Sequence, residues 1–311
     1  MTRFIAQPAA GMQRKRALNG VLLLNKPAGI TSQTAVSKAK QVFTAAKAGH
    51  TGTLDPMASG LLPICFGEAT KFSHLLLDSD KSYAATIKLG ITTITGDLEG
   101  EVTGTAPVAV ERRAVEAVLG RFAGEILQTP PMYSAIKRAG KPLYKYARAG
   151  LELERMARRV FIHAIELASF AHDELRVRVT CGKGTYIRVL AQDIGRELGC
   201  GACLAALTRM AVGSFRLDAA VTLQALCDLN PDQRETYLLP VDSLVAGLPR
   251  VDLDARQAER IANGRTVESL QVISSGLVRI YGPGQRYLGI GAVEMPGIIV
   301  PRRLMATARV M

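Results

Sequence analysis

Apolar residues along this chain come in short runs and helical stripes, never in one long tract. Residues 20–25 (GVLLLN) are a continuous apolar run closed by Lys26-Pro27, which predicts a strand. Residues 31–46 carry Ala35, Val36, Ala39, Val42, Phe43 and Ala46 at helical spacing, with Thr31 or Ser32 as cap. The periodicity then stops: Gly49-His50-Thr51-Gly52-Thr53-Leu54-Asp55-Pro56 reads as a loop. Residues 61–66 predict a buried strand, and 67–77 a helix. Alternation over 82–91 predicts a strand, and residues 110–122 a helix striped by Val115, Val118, Leu119 and Phe122. Residues 160–170 and 174–181 predict two strands around a polar turn at His172-Asp173. Residues 185–198 predict a helix capped by Thr185, with Ile187, Leu190, Ile194 and Leu198 facing inward. A strand over 207–217 and a short helix over 222–229 follow.

Strands often succeed one another, with no regular βαβ repeat. That order predicts an α+β fold whose main sheet is mixed and mostly antiparallel. Near Leu248-Pro249 the composition shifts. Beyond it lies a short helix over 254–262, capped by Asp254 and stopped by Asn263-Gly264. Short strands over 277–281, 287–293 and 298–303 predict a small C-terminal β-barrel. The expected division is a flexible basic arm over 1–19, a main domain over 20–247 and a small domain over 248–311.

Charge narrows the partners. The 311 residues hold 39 Lys+Arg against 27 Asp+Glu, a net +12, so nucleic acid is the favoured polyanion over an acidic membrane or protein. No run approaches the roughly 20 apolar residues that span a bilayer. Trp is absent and aromatics are 5%, which argues against extended stacking platforms. The five cysteines, Cys65, Cys181, Cys200, Cys203 and Cys227, are odd in number and sparse, and no secretory apolar stretch precedes them. A reducing compartment, the cytoplasm, is expected. Cys200 and Cys203 form a lone CxxC without a second ligand pair, so free buried thiols are expected and no metal site.

The loop 49–60 (GHTGTLDPMASG) is the most unusual segment. It is glycine-rich, so backbone can approach a ligand closely, and it holds one carboxylate, Asp55. Locally Asp55 also suits an Asx-turn. No nucleotide P-loop, dinucleotide fingerprint, GxSxG or HExxH is present. Tyr83 suits a core or edge aromatic as well as a site. Arg188 follows the basic turn Cys181-Gly182-Lys183-Gly184 at a helix start, where Lys183 and backbone N–H groups could hold a phosphate or simply meet solvent. Residues 133–148 (YSAIKRAGKPLYKYAR) interleave Lys137, Arg138, Lys141, Lys145 and Arg148 with three tyrosines and no acid, a composition that fits RNA or a solvated basic face.

Five segments in register resemble the bacterial tRNA pseudouridine-55 synthases, the TruB family. They are GVLLLNKPAGITS at 20–32, AGHTGTLDPMASGLLPICFGEATK at 48–71, KSYAATIKLGITTITGD at 81–97, PPMYSAIKRAGKPLYKYAR at 130–148 and CGKGTYIRVLAQDIGRELGC at 181–200. The resemblance is strong over about residues 20–245 and looser over the last 60 or so, which are similar to the PUA barrel of RNA-modifying enzymes. It implies isomerisation of the uridine at tRNA position 55, in the T loop, with no cofactor and no metal, because no atoms enter or leave and nothing is oxidised.

By that resemblance Asp55 is the essential carboxylate. It leaves open whether Asp55 attacks C1′ or C6 or removes a sugar proton. Arg188 would pair with it, since a buried carboxylate tends to stay protonated without a partner. Tyr83 would stack on the extruded uracil and relay the C5 proton, Leu207 would pack on the other ring face, and His50 would fill the space the base vacates. Lys26, Tyr186 and Lys71 complete the implied substrate contacts. The implied partner is tRNA, through its T arm and acceptor stem, without a membrane or an obligate protein partner. Two other classes remain: a non-catalytic tRNA-binding or folding protein, and a guide-dependent relative acting within an RNA–protein particle.

Overall fold

A computed structural model describes residues 15–269 and 275–306. The basic arm expected over 1–19 lies mostly outside the described residues. Of its basic residues within them, Arg16 pairs with Glu235.

Among the described residues, the main sheet has eleven strands. Its long members are β1 (Gly20–Lys26), β2 (Ser59–Phe66), β3 (Lys81–Leu89), β4 (Gly124–Gln128), β5 (Arg158–Ala171), β6 (Glu174–Cys181) and β7 (Ala202–Val212), in the spatial order β1-β2-β7-β3-β6-β5-β4. All these neighbours are antiparallel except β2 and β7, which run parallel. The sheet is mixed and mostly antiparallel, as the succession of strands predicted.

The continuous apolar runs follow from burial on both faces. Successive strand residues point to opposite sides. In β1, Leu22 and Leu24 enter one core while Val21 and Leu23 enter another; in β2, Leu62, Ile64 and Phe66 part from Leu61 and Cys65 in the same way. A strand covered on both faces has no reason to alternate apolar with polar. Helices α1 (Ser32–Val42), α3 (Arg112–Arg121) and α4 (Ile187–Glu197) cover the first face. The short helix α2 (Ser73–Leu77) lies on the second.

A second sheet of five strands begins at Arg250. Strands β8 (Arg250–Asp252), β9 (Val267–Glu268), β10 (Gly276–Gly282), β11 (Arg286–Met295) and β12 (Ile298–Leu304) run in the order β8-β10-β11-β12-β9, with helix α5 (Ala255–Ala262) between β8 and β9. Asp254 caps α5 in a reciprocal capping box with Gln257.

Boundaries depart from the periodicity at several places. The strand expected over 207–217 runs instead over Ala202–Val212, because Gly213 turns the chain at φ 54°. The 31–46 stripe yields a helix that stops at Val42, because Thr44 turns to φ 52°. The 67–77 segment splits into a 3-10 turn, Gly67–Lys71, and α2. Thr185 is not the cap of α4. That place belongs to Tyr186, while Thr185 donates its hydroxyl to the Gly182 carbonyl. Cys65, Cys181, Cys200 and Cys203 are buried free thiols and Cys227 is exposed. Among the described residues, no helix is long and apolar enough to cross a membrane.

Candidate active site

The Asp55 loop enters the sheet just before β2 and is fastened from three sides. Ser32, the first residue of α1, clamps Leu54: its hydroxyl donates to the Leu54 carbonyl at 3.0 Å and accepts the Leu54 N–H at 2.8 Å. Lys26, at the end of β1, donates its ammonium to the carbonyls of Pro27, Ile30 and Pro56. An ammonium has three N–H groups, so this set uses them all. Arg209 on β7 donates to the carbonyls of Gly52, Thr53 and Leu61. The Ala58 N–H also closes a turn onto the Asp55 carbonyl at 3.1 Å. The glycines therefore do not make this loop loose; its backbone acceptors are taken up by buried donors.

Arg188 reaches Asp55 from α4. The Nε donates to Asp55 Oδ2 at 2.8 Å, Nη1 to the Thr95 carbonyl at 2.7 Å and Nη2 to the Tyr133 carbonyl at 2.9 Å. Its side chain is 5% exposed and that of Asp55 35%, so the cation is sealed and the carboxylate opens outward. Asp97 adds a second carboxylate 3.5 Å from Nε. Asp97 is itself tied into the Thr95 turn by the Thr95 hydroxyl at 2.6 Å and the Glu99 N–H at 3.2 Å. Gln128, buried at the end of β4, stands in for a side-chain cap on α4. Its Oε1 accepts the Tyr186 N–H and its Nε2 donates to the Tyr186 carbonyl. That pair of bonds fixes the turn from which Arg188 projects.

The carboxylate faces a cleft of about 580 Å³. Asp55, Tyr83, Tyr186, Arg188 and Leu207 all line it, along with Arg209. Tyr83 on β3 lies directly across from Arg209 on β7, and Leu207 is two residues from Arg209 on the same face of β7. Burial pushes the Tyr83 phenol up, and the Arg209 guanidinium opposes that shift. Burial likewise pushes the Tyr186 phenol up. The basic segment forms one wall: Ser134, Ala135 and Ile136 line the cleft while Lys137, Arg138, Lys141, Lys145 and Arg148 are exposed.

Three expected substrate contacts lie elsewhere. His50 sits at the foot of the loop, where its Nδ1 accepts the Gly52 N–H at 3.2 Å; burial lowers its pKa, so the imidazole is neutral near pH 7. Lys26 is corrected from an RNA contact to a loop fastener, because its side chain is fully buried and its donors are spent on carbonyls. Lys71 is half-buried away from the cleft, donating to Glu68 and to the Leu304 carbonyl of the second sheet. Lys183 is exposed and pairs with Asp78 at 2.9 Å.

Sequence reasoning missed Asp97, Gln128 and Arg209. The signals were faint: a lone Arg in an otherwise small and apolar strand, a Gln ending a strand, and an Asp inside a turn-rich segment.

With this geometry established, the chain can be set beside known proteins. The family described as "TruB family pseudouridylate synthase (N terminal domain)" matches residues 40–187. Two C-terminal TruB domains match 188–246 and 249–305. The tRNA pseudouridine synthase B of Aromatoleum aromaticum is 55% identical over 94% of this chain and 95% of its own length. That of Dechloromonas aromatica is 54% identical over 96% of this chain and all of its own. A solved structure described as a Cbf5-Nop10-Gar1 complex contains a chain with a TM-score of 0.72 and 26% identity, covering 92% of this chain and 85% of that one. Chain-wide identity at this level shows that the protein belongs to the TruB family of pseudouridine synthases, enzymes that isomerise uridine in tRNA.

Proposed function

We propose that this chain isomerises the uridine at position 55 of the tRNA T loop, with Asp55, Arg188 and Tyr83 carrying the chemistry. The N1–C1′ bond must break, the uracil must turn while bound, and C5 must join C1′. Asp55 supplies the carboxylate that acts at the sugar or base. Its Oδ2 is held by Arg188, while Oδ1 has no hydrogen bond among the described residues. Fixing one oxygen with a charge-assisted bond aims the other without any reorganisation during reaction. A base inside a folded loop must leave its stack first. Tyr83 and Leu207 supply the two apolar surfaces between which an extruded uracil would stack. The neutral imidazole of His50, beside the loop, suits the vacated position in the RNA. The exposed cations of residues 137–148 suit phosphates of the T arm. The second sheet, with exposed Arg302 and Arg303, is read as a PUA-like unit for the acceptor stem.

The observation that carries this reading is the 2.8 Å pairing of a sealed guanidinium with the one carboxylate that, among the described residues, lines the cleft. A purely RNA-binding protein has no need of a buried cation aimed at an acid on its binding surface. The test is incubation of the purified chain with unmodified tRNA transcript, no cofactor and no second protein, followed by chemical mapping of pseudouridine. One modification at position 55 is expected, and turnover on a bare T-arm hairpin would distinguish this chain from a guide-dependent relative. Asp55→Asn should bind tRNA within about threefold of the native chain yet form no product. Loss of binding in that variant would make Asp55 structural. Cytoplasmic location and action without an obligate protein partner belong to the same reading.

A further inference from the structure

Arg209 is 1% exposed, one of the largest fully buried side chains in the molecule. Its side-chain hydrogen bonds, to the carbonyls of Leu61, Thr53 and Gly52, all go to neutral acceptors. Among the described residues, no carboxylate lies within ion-pair distance of it. A buried guanidinium without a counter-ion is costly, and a neutral amide could serve some of the same carbonyls. The charge itself therefore needs a reason. The acidic group opposite it is the phenol of Tyr83, its direct cross-strand partner, which lines the same cleft and whose ionised form the guanidinium favours against burial.

We propose that Arg209 is a positioning residue for the proton transfer through Tyr83: its guanidinium holds the phenol oxygen in place and stabilises it as phenolate while the C5 proton leaves. The proposal rests on the relay role given to Tyr83 above. Once N1–C1′ has broken, its electron pair resides on the uracil nitrogen. The C5–C6 π pair then forms the C5–C1′ bond. The phenol passes its own proton to the uracil nitrogen, directly or through water, and the phenolate takes the proton from C5. The C–H pair restores the ring double bond and the phenol is regenerated, so one proton leaves carbon, one reaches nitrogen, and nothing is oxidised. With Arg209 in place, C5 proton removal is too fast to limit turnover.

The test is a single-turnover comparison of tRNA carrying ordinary or C5-deuterated uridine. The unaltered chain should show an isotope effect near unity. Arg209→Gln should lose about a hundredfold in rate, the scale of a weakened general base, with an isotope effect clearly above unity. Arg209→Lys, which keeps a cation of shorter reach, should recover part of the rate and lower the isotope effect. Circular dichroism and tRNA affinity within about threefold of the native chain establish that each variant is folded. A folded Arg209→Gln chain that is slow but shows no isotope effect would make Arg209 structural only. A large isotope effect in the unaltered chain would overturn the proposal even if neither variant folded. Tyr83→Phe separates this from the reading beneath it: full activity there sinks the relay itself, whereas an inactive Tyr83→Phe beside isotope-silent Arg209 variants sinks only the Arg209 role.

Discussion

At the scale of single residues, the site turns on which charges are paired and which are not. Arg188 divides its donors among one carboxylate and two carbonyls lying in different directions. A lysine has a compact ammonium and cannot span that fork. Arg188→Lys should therefore lower single-turnover rate by about a hundredfold or more, with tRNA affinity nearly unchanged; quenched-flow measurement on saturating tRNA checks it. Lys26 gives a pH prediction with a definite sign. Burial lowers its pKa from the ordinary 10.5 to about 8, against the opposing pull of Asp55. Between those values the unfolded chain holds more protons than the folded one, so the contribution of Lys26 to stability rises with pH across this window and is flat below it. Turnover should move the other way, because a neutral amine has only two N–H groups for three carbonyls and the Asp55 loop loosens above pH about 8. Urea midpoints of the native chain and Lys26→Met across this range isolate the first effect, since every other titrating group cancels in the difference; pH–rate profiles read the second. Local sequence alone left Asp55, Tyr83 and Arg188 between site and scaffold, because each residue type has an ordinary structural use. Lys26 shows the opposite failure: a lysine beside a loop reads as a surface cation until the carbonyls that surround it are known.

At the scale of elements, the central crossing of β2 and β7 sets the site. Thr208 pairs with Ser59 and Arg209 with Gly60, while on the other edge Arg209 pairs with Tyr83. This brings the end of the Asp55 loop beside the cleft residues of β7. The close approach depends on Gly60, whose φ is 102° and whose added Cβ would collide with the Arg209 backbone. Backbone on both sides cannot yield. Gly60→Ala should cost about 2 kcal/mol or more in unfolding free energy and slow catalysis along with it, because the same strain shifts Arg209; denaturant unfolding with parallel activity assays tests both. Most elements were legible because apolar runs and helical stripes reflect burial directly. The strand pairing was not, since β2 and β7 are separated by more than a hundred residues and nothing local encodes their register. The cap of α4 was missed for a similar reason. Thr185 is a good capping residue by type, but Gln128 on β4 already satisfies the Tyr186 backbone.

At the scale of the whole molecule, the shift in composition near Leu248-Pro249 marks a change of sheet but not an independent core. The second face of the main sheet and the inner face of the second sheet share one apolar cluster: Phe72, Leu76 and Val21 belong to it together with Val251, Ile280, Leu288 and Ile290. Rings of Phe72 and Tyr287 lie 5.7 Å apart, the Tyr281 hydroxyl donates to Asp242 at 2.5 Å, and Lys71 reaches the Leu304 carbonyl. A small RNA-binding unit joined by a plain linker could be removed at the expense of affinity alone. Here removal would strip cover from β1 and β2, whose opposite faces hold the Asp55 loop and α1. A chain ending at Leu248 should unfold at a clearly lower denaturant midpoint, bind an apolar dye, and lose affinity and turnover together. Arg303→Glu leaves this core intact, because the side chain is exposed on β12. It should weaken tRNA binding severalfold at moderate salt while the single-turnover rate at saturating tRNA stays the same. If the truncated chain instead kept the native midpoint and turned over normally once saturated, the shared cluster would be incidental and the two sheets independent; if Arg303→Glu slowed the saturated rate, the second sheet would act on the chemistry rather than on the grip.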